Sequence, residues 1–172
     1  MPRVHHVKSA RKDNPVAKVG ESYYWWEFRF GGKKFSRTPP RRSQLTQSEK
    51  LGRAYELAER MDDIPLDTDF DHDSLKEAVE NFVSILESIT QDIQELAGEY
   101  RESAENIRAS FSESPTADDC EEKAEELDGW VIEIESASSE LESIEFDSDD
   151  FDLESAVSTY FSAVENSNSC PL

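Results

Sequence analysis

Carboxylates recur one helical turn apart in the C-terminal two thirds of the chain. The clearest like-charge neighbours are Glu95, Glu99, Glu102, Glu105, Glu121, Glu122, Glu125 and Glu126. Each pair four residues apart costs a helix roughly 0.2–0.5 kcal/mol, whereas interleaved lysines would stabilise it. A rod that carries carboxylates at such short intervals imitates the phosphate array of DNA and attracts the basic grooves of DNA-handling proteins. These residues therefore predict an acidic surface for a partner protein with a cationic surface.

A second group of residues, nearer the N-terminus, combines aromatic rings with cations. Its members are Trp25, Arg29, Lys33, Lys34, Arg37, Arg41 and Arg42. Cations that track phosphates beside rings that stack on bases are typical of nucleic-acid-binding surfaces. The same pattern also fits a small domain in which the aromatic residues form the core and the cations a solvated rim. Both interpretations stay open, because one face can be buried while the other binds.

Other chemistry has weaker support in the sequence. Four aspartates alternate as at the start of a calcium loop, at Asp67, Asp69, Asp71 and Asp73. The sixth loop position is His72 instead of glycine, and the twelfth is Ala78 instead of glutamate, so a solvated acidic linker is the better interpretation. The sequence has no phosphate-binding glycine loop, nucleophile elbow or zinc motif. We expect a non-enzymatic protein without a cofactor or a metal.

Charge is divided unequally along the chain. The 172 residues include 39 acids and 18 bases, for a net charge of -21. Residues 1–53 hold 13 bases and 4 acids, a net charge of +9, and residues 54–172 hold 5 bases and 35 acids, a net charge of −30. Adaptation to high salt is expected to acidify the N-terminal part as well. Mimicry of a nucleic acid, salt adaptation and plain solubility are all open explanations of the acidic part.

The sequence predicts a cytoplasmic protein. It contains no run of 18 apolar residues, and its N-terminus has no hydrophobic signal core, so neither a membrane span nor secretion is expected. Cys120 and Cys170 lie far apart without metal-ligand spacing, which favours free thiols in a reducing compartment.

The N-terminal part predicts a small β-hairpin. Residues 1–20 are polar and basic and are expected to form a flexible arm. Two strand-like runs flank Gly31-Gly32, which favours a two-residue primed turn. Counting outward from that turn, the first predicted face holds Tyr24, Trp26, Phe28, Phe30, Lys33, Phe35 and Arg37. The second predicted face holds Tyr23, Trp25, Glu27, Arg29, Lys34 and Ser36.

A helix and then a linker are predicted to follow the β-hairpin. Thr46-Gln47-Ser48-Glu49 reads as a capping box for a helix that ends near Met61, which completes a basic aromatic module over residues 21–62. Its apolar stripe is suited to cover one face of the β-hairpin. Residues 63–73 are acidic, contain a proline and are expected to form a linker.

The acidic part predicts a helical hairpin. A heptad seam runs through Leu75, Val79, Phe82, Leu86, Ile89, Ile93, Leu96, Tyr100, Ile107 and Phe111. After Ser114-Pro115, a second run comprises Ala117, Cys120, Ala124, Leu127, Val131, Ile134 and Leu141. A short connection between two long helices favours an antiparallel, coiled-coil-like arrangement over residues 74–165, with a closing helix from Leu153 to Val164 and a polar tail at 166–172. The predicted class is α+β, mostly α.

The segment from Tyr23 to Thr46 resembles the opening of a family of small phage and prophage proteins of uncharacterised function. Its string is Tyr-Tyr-Trp-Trp-Glu-Phe-Arg-Phe-Gly-Gly-Lys-Lys-Phe-Ser-Arg-Thr-Pro-Pro-Arg-Arg-Ser-Gln-Leu-Thr. The likeness covers roughly the first 60 residues. It implies a phage origin, and small acidic phage proteins often resemble inhibitors of host defence or of host nucleic-acid enzymes. It carries over no catalytic residue.

Three functions are compatible with these patterns. The first is a phage-type inhibitor that presents a DNA-mimicking acidic surface to a host defence or nucleic-acid-handling protein in the host cytoplasm. The second is a nucleic-acid-binding protein that uses the basic aromatic β-hairpin within residues 1–53. The third is an oligomeric structural or assembly protein in which the heptad seam joins copies of the chain.

Overall fold

The computed structural model describes residues 1–64, 69–167 and 170–172. The elements are β1 (His5–Val7), β2 (Tyr23–Phe28), β3 (Gly32–Ser36), a 3-10 turn (Ser43–Leu45), α1 (Glu49–Asp62), α2 (His72–Ser110), α3 (Pro115–Glu142) and α4 (Leu153–Ser167). The chain divides into two compact units, Met1–Glu56 and Leu57–Leu172, here the N-terminal and C-terminal units. The predicted class, a mostly helical α+β protein, is confirmed.

The sheet of the N-terminal unit has one strand more than predicted. Its three antiparallel strands lie in the order β1-β2-β3, and β1 comes from the segment that was expected to be an arm. His5 stacks on Trp25 with ring centroids 4.3 Å apart, and His6 stacks on Tyr24 at 4.5 Å. Because a two-stranded hairpin is marginal in water, the additional pairing and stacking stabilise the sheet.

The register of the β-hairpin also differs from the prediction. Phe28 pairs with Gly32, so the connection has three residues, Arg29 to Gly31, and not two. A two-residue type I′ turn at Gly31-Gly32 would need positive φ at both glycines. Only Gly32 of the two has it, with φ of +70°.

The changed register moves the residues of β3 to the opposite faces of the sheet, since side chains alternate along a strand. Lys33 and Phe35 share a face with Trp25, whereas Lys34 shares a face with Trp26. Trp26 is buried and Trp25 is half-buried, so the Trp26 face is the more deeply buried of the two. The predicted faces were therefore wrong for Lys33, Lys34, Phe35 and Ser36.

Alanine substitutions at two glycines, Gly32 and Gly98, should have opposite effects on stability. Gly32→Ala is expected to destabilise the N-terminal unit by about 1–2 kcal/mol, because a Cβ is strained at its φ of +70°. Gly98→Ala is expected to stabilise the C-terminal unit by about 0.5–1 kcal/mol, because Gly98 lies in α2 and an added Cβ meets no other atom. Urea unfolding followed by tryptophan fluorescence and by circular dichroism measures both. A Gly32→Ala variant as stable as the wild type would contradict the positive φ of Gly32.

Helix α1 begins later than its predicted capping box. The Ser48 hydroxyl accepts a hydrogen bond from the Leu51 amide at 3.3 Å, so Ser48 caps the helix in place of Thr46. The last turn of α1 belongs to the C-terminal unit. There, the Arg60 guanidinium contacts Asp92 at 2.6 Å and Ser88 at 3.3 Å.

Helix α2 follows the predicted seam for most of its length. Asp71 caps it by accepting from the Ser74 amide at 2.8 Å, and the Ser74 hydroxyl accepts in turn from the Asp71 amide. All predicted seam residues from Leu75 to Tyr100 are buried. Phe111 lies beyond the helix, in the connection between α2 and α3, and is 68% exposed. Residues 65–68 of the predicted linker, with Asp67, lie outside the described residues.

Helix α3 packs against both α2 and α4, and this arrangement explains the residues that its predicted stripe omitted. Trp130 and Ala137 are buried, whereas the predicted Cys120 is only half-buried. The indole Nε1 of Trp130 donates to the carbonyl of Ser167 in α4 at 3.0 Å. A helix between two neighbours needs an apolar surface wider than one seam. Residues 168–169 of the predicted tail lie outside the described residues.

Candidate functional site

The C-terminal unit is strongly acidic, and all of its basic side chains are engaged. It holds 34 acids and 5 bases, a net charge of −29, against 13 bases and 5 acids, a net charge of +8, in the N-terminal unit. The ion pairs are Arg60–Asp92, Lys76–Asp147, Arg101–Asp128, Arg108–Asp118, Arg108–Glu121 and Lys123–Asp119. Every cation of the unit is thus already in contact with a carboxylate.

Arg108 joins α2 to α3 through two carboxylates. Its guanidinium binds Glu121 with two hydrogen bonds, one of 2.7 Å, and Asp118 with a third of 2.8 Å. The hydrogen bonds from Arg108 lower the pKa of Glu121, and those carboxylates raise the pKa of Arg108. The prediction treated Glu121 and Glu125 as an unrelieved pair, whereas Glu121 is a structural partner of Arg108.

The predicted glutamates of α2 are spread over about 120° of the helix surface. At about 100° per residue, Glu95, Glu99 and Glu102 fall within roughly 60° of one another, with Glu95 and Glu102 exposed and Glu99 half-buried. Glu105 is turned by about 60° from Glu102, toward the side of the helix that carries Arg108. Of these four glutamates, Glu105 therefore lies nearest the ion pairs of Arg108. Glu102 is its neighbour one turn earlier, and Glu95 and Glu99 lie further around α2.

The predicted glutamates of α3 divide in the same way. Glu125 is turned by about 40° from Glu121 and so lies on the side that faces Arg108. Glu122 and Glu126 are turned by about 100° and 140° from Glu121 and lie on another side of α3. The surface here called the acidic edge comprises four of the eight predicted residues: Glu105, Glu121 and Glu125, which lie around the ion pairs of Arg108, and Glu102 beside Glu105.

The helical hairpin has the charge density of a nucleic-acid strand. Helices α2 and α3 together hold 20 acids and 4 bases, a net charge of −16. Helix α2 is about 58 Å long at 1.5 Å per residue, which gives one net charge per roughly 3.6 Å. A DNA strand carries one charge per about 3.4 Å, and the duplex carries one per about 1.7 Å.

Some of the predicted nucleic-acid contacts of the N-terminal unit are occupied by the protein itself. The ring of Trp25 is stacked on His5 from β1, and the Nζ of Lys33 from β3 lies 4.8 Å from a Trp25 ring centroid. The guanidinium of Arg42 lies 4.3 Å from the ring centroid of Tyr55, which is buried. These rings therefore have neighbours within their own unit.

The other predicted cations of the N-terminal unit are exposed. Arg37 donates to the carbonyl of Val16 and contacts Glu21 at 3.4 Å. The side chains of Arg29, Lys34 and Arg41 are exposed as well. Arg29 and Phe30, which the prediction placed on the two strand faces, both lie in the loop. The sequence did not show that the loop has three residues, and this loop length decides where Arg29 lies.

His72 joins the start of α2 to the segment between α3 and α4. Its Nε2 lies 2.9 Å from the carbonyl oxygen of Phe146, and its Nδ1 lies 2.9 Å from a carboxylate oxygen of Asp73. Both groups are acceptors here, so the ring satisfies both only as an imidazolium. The hydrogen bond to Phe146, followed by that to Asp73, raises the pKa of His72 against the smaller opposing effects of partial burial and of Lys76. No sequence pattern predicts a contact across 74 residues.

The contribution of His72 to stability should decrease as pH rises. Its pKa is raised on folding, so its stabilising effect is complete below the unfolded pKa of about 6.5 and is lost as pH passes through the folded value. We expect the difference in unfolding free energy between the wild type and His72→Gln to be larger at about pH 6 than at about pH 8. Urea unfolding followed by circular dichroism tests this, and a constant difference would contradict the double hydrogen bond.

No family model, curated protein or solved structure matches the chain. Within the described residues, no three His, Cys, Asp or Glu side chains are grouped so that they could hold a metal ion. Among the helices of that part of the chain, none is long and apolar enough to cross a membrane.

Proposed function

We propose that the chain is a non-enzymatic, phage-type interaction protein that occupies the DNA-binding surface of a host protein. Its acidic edge takes the place of a nucleic-acid strand, and the target is a host defence or nucleic-acid-handling protein in the host cytoplasm. The observation that supports this most directly is the fully engaged set of cations in a unit with a net charge of −29. The remaining carboxylate charge can be compensated by a cationic partner.

The acidic edge is also held in place before binding. The helices beneath it bury the heptad seam, and Arg101 and Arg108 tie α2 to Asp128 and Glu121 of α3. Carboxylates on rigid elements lose little freedom on binding, which favours affinity. Their combined field also speeds association with a positive surface in a salt-dependent way.

Self-association through the heptad seam has less support than this function. Leu86, Ile89 and Ile93 at the centre of the seam have no exposed surface. They are buried within the C-terminal unit itself, where α2 packs on α3. A second copy of the chain cannot use the seam while this packing is intact.

Affinity capture with a DNA competitor tests the proposed function. The full-length chain is immobilised, a bacterial lysate freed of nucleic acid is passed over it, and bound proteins are eluted with duplex DNA or with a neutral polymer. We expect DNA-binding proteins to be retained and to be released by duplex DNA but not by the polymer. Retention that duplex DNA does not reverse would refute mimicry of DNA, whatever the identity of the retained proteins.

A further inference from the structure

The apex of the β-hairpin presents an aromatic ring directly to solvent. Phe30 is 87% exposed, in contrast to Trp26, which is 4% exposed in the same unit. The three-residue connection places Phe30 at its centre, between strands that pair at Phe28 and Gly32. Phe30 therefore contributes little to the core of its unit, and its ring is accessible to a ligand.

Three cations lie close to Phe30 in the sequence. The guanidinium carbon of Arg29 lies 5.2 Å from the Phe30 ring centroid, within the range of a cation–π contact. Lys33 and Lys34 follow directly in β3, and Glu27 pairs opposite Lys33 as the one acid of the segment from 27 to 34. The segment has a net charge of +2 and is suited to bind an anion beside an aromatic face.

The apex is supported from within its own unit. A Cβ at Gly31 would lie 2.4 Å from the amide nitrogen of the Gln47 side chain, so the loop backbone lies directly against Gln47. The Gly31 amide also donates to the carbonyl of Phe28 at 3.4 Å. These contacts hold the loop in place and leave the ring outside.

We propose that this apex binds single-stranded nucleic acid: Phe30 stacks on a base while Arg29 and Lys34 contact the neighbouring phosphates. Only an unpaired base offers its face to a ring, and stacking together with phosphate contacts is the usual mode of binding single strands without sequence preference. Trp25 and Arg42, by contrast, are already engaged with His5 and Tyr55. This site is independent of the acidic edge in the C-terminal unit.

Fluorescence anisotropy with a short labelled oligothymidine tests the proposal on the full-length chain at low salt. Phe30→Ala should weaken binding by roughly 5- to 100-fold, the usual range for loss of one stacked base. The matched control is Phe111→Ala, which removes another exposed phenylalanine, 68% exposed and located in the C-terminal unit. It should leave the affinity unchanged. A Phe30→Trp variant should bind like the wild type and show quenched fluorescence from the new indole on binding.

Several results would overturn the proposal. They are no binding of the oligonucleotide by the wild type, equal binding by Phe30→Ala and Phe111→Ala, or tighter binding of a duplex of the same sequence. Vesicles of phosphatidylglycerol provide a further arm. If they bind in a Phe30-dependent way while the oligonucleotide does not, the apex is a membrane contact and the proposal is wrong.

Discussion

Trp130→Ala should lower the unfolding free energy of the C-terminal unit by about 3–5 kcal/mol, the usual cost of deleting a buried aromatic side chain. Trp130 is 1% exposed and is the largest of the fully buried side chains. Its removal leaves a cavity and also leaves the carbonyl of Ser167 without the indole donor. Because that hydrogen bond joins α3 to α4, the packing of the closing helix should weaken first. Urea unfolding followed by far-ultraviolet circular dichroism measures the loss.

Ile132→Ala is the matched control for this prediction. Ile132 lies two residues away in the same helix, but it is 66% exposed. Its substitution should change the unfolding free energy by no more than about 0.5 kcal/mol, as is usual for surface positions. Similar losses for the two variants would show that α3 does not bury its Trp130 side.

Charge reversal on the acidic edge should weaken partner binding by roughly 100-fold at low salt, since like charges across an interface cost several kcal/mol. The variant combines Glu102→Lys, Glu105→Lys and Glu125→Lys. Glu121 is left unchanged because it binds Arg108, and its reversal would disturb the contact between α2 and α3. All three substituted side chains are exposed, so an unchanged circular dichroism spectrum is expected. Retention of lysate proteins on the immobilised variants measures the effect.

A second variant separates the position of the charges from their number. Glu145→Lys, Asp149→Lys and Asp150→Lys change the net charge by the same amount, at exposed positions between α3 and α4. We expect its retention of lysate proteins to fall by less than about 5-fold, since charges outside an interface act mainly on the association rate. Equal losses for both variants would show that bulk acidity, and not the acidic edge, determines binding.

The helical part was largely predictable from the sequence. The apolar residues from Leu75 to Tyr100 are three or four positions apart, and a helix places all of them on one face. Trp130 was missed because α3 has two neighbours, and its second buried side has no heptad spacing of its own. Local periodicity describes one interface at a time.

The β-hairpin was less predictable, because its faces depend on the length of a single loop. One odd shift in register exchanged the faces of Lys33 and Lys34 and placed Phe30 at the apex. β1 was missed for a related reason: its residues gain their stability from rings on another strand, as His5 does from Trp25. Three short strands have too few residues for their sequence pattern to determine the register of the β-hairpin or the pairing of β1.

The candidate site was predictable in composition but not in geometry. Helical spacing identified the glutamates, but it could not show that Glu105 and Glu125 lie beside the same ion pairs while Glu122 lies elsewhere. Arg108 and Glu121 are 13 residues apart in the sequence and lie on different helices. Their pairing therefore depends on how α2 and α3 are aligned. Such contacts follow from tertiary packing.

The most direct test of DNA mimicry is a displacement measurement on a retained host protein. That protein is purified and bound to a fluorescently labelled DNA duplex, and the full-length chain is added while the anisotropy of the DNA is recorded. If the acidic edge occupies the DNA-binding surface, the wild type should lower the anisotropy to that of free DNA. The Glu102→Lys, Glu105→Lys, Glu125→Lys variant should not. An anisotropy that rises on addition of the wild type would reveal a ternary complex and would contradict the account.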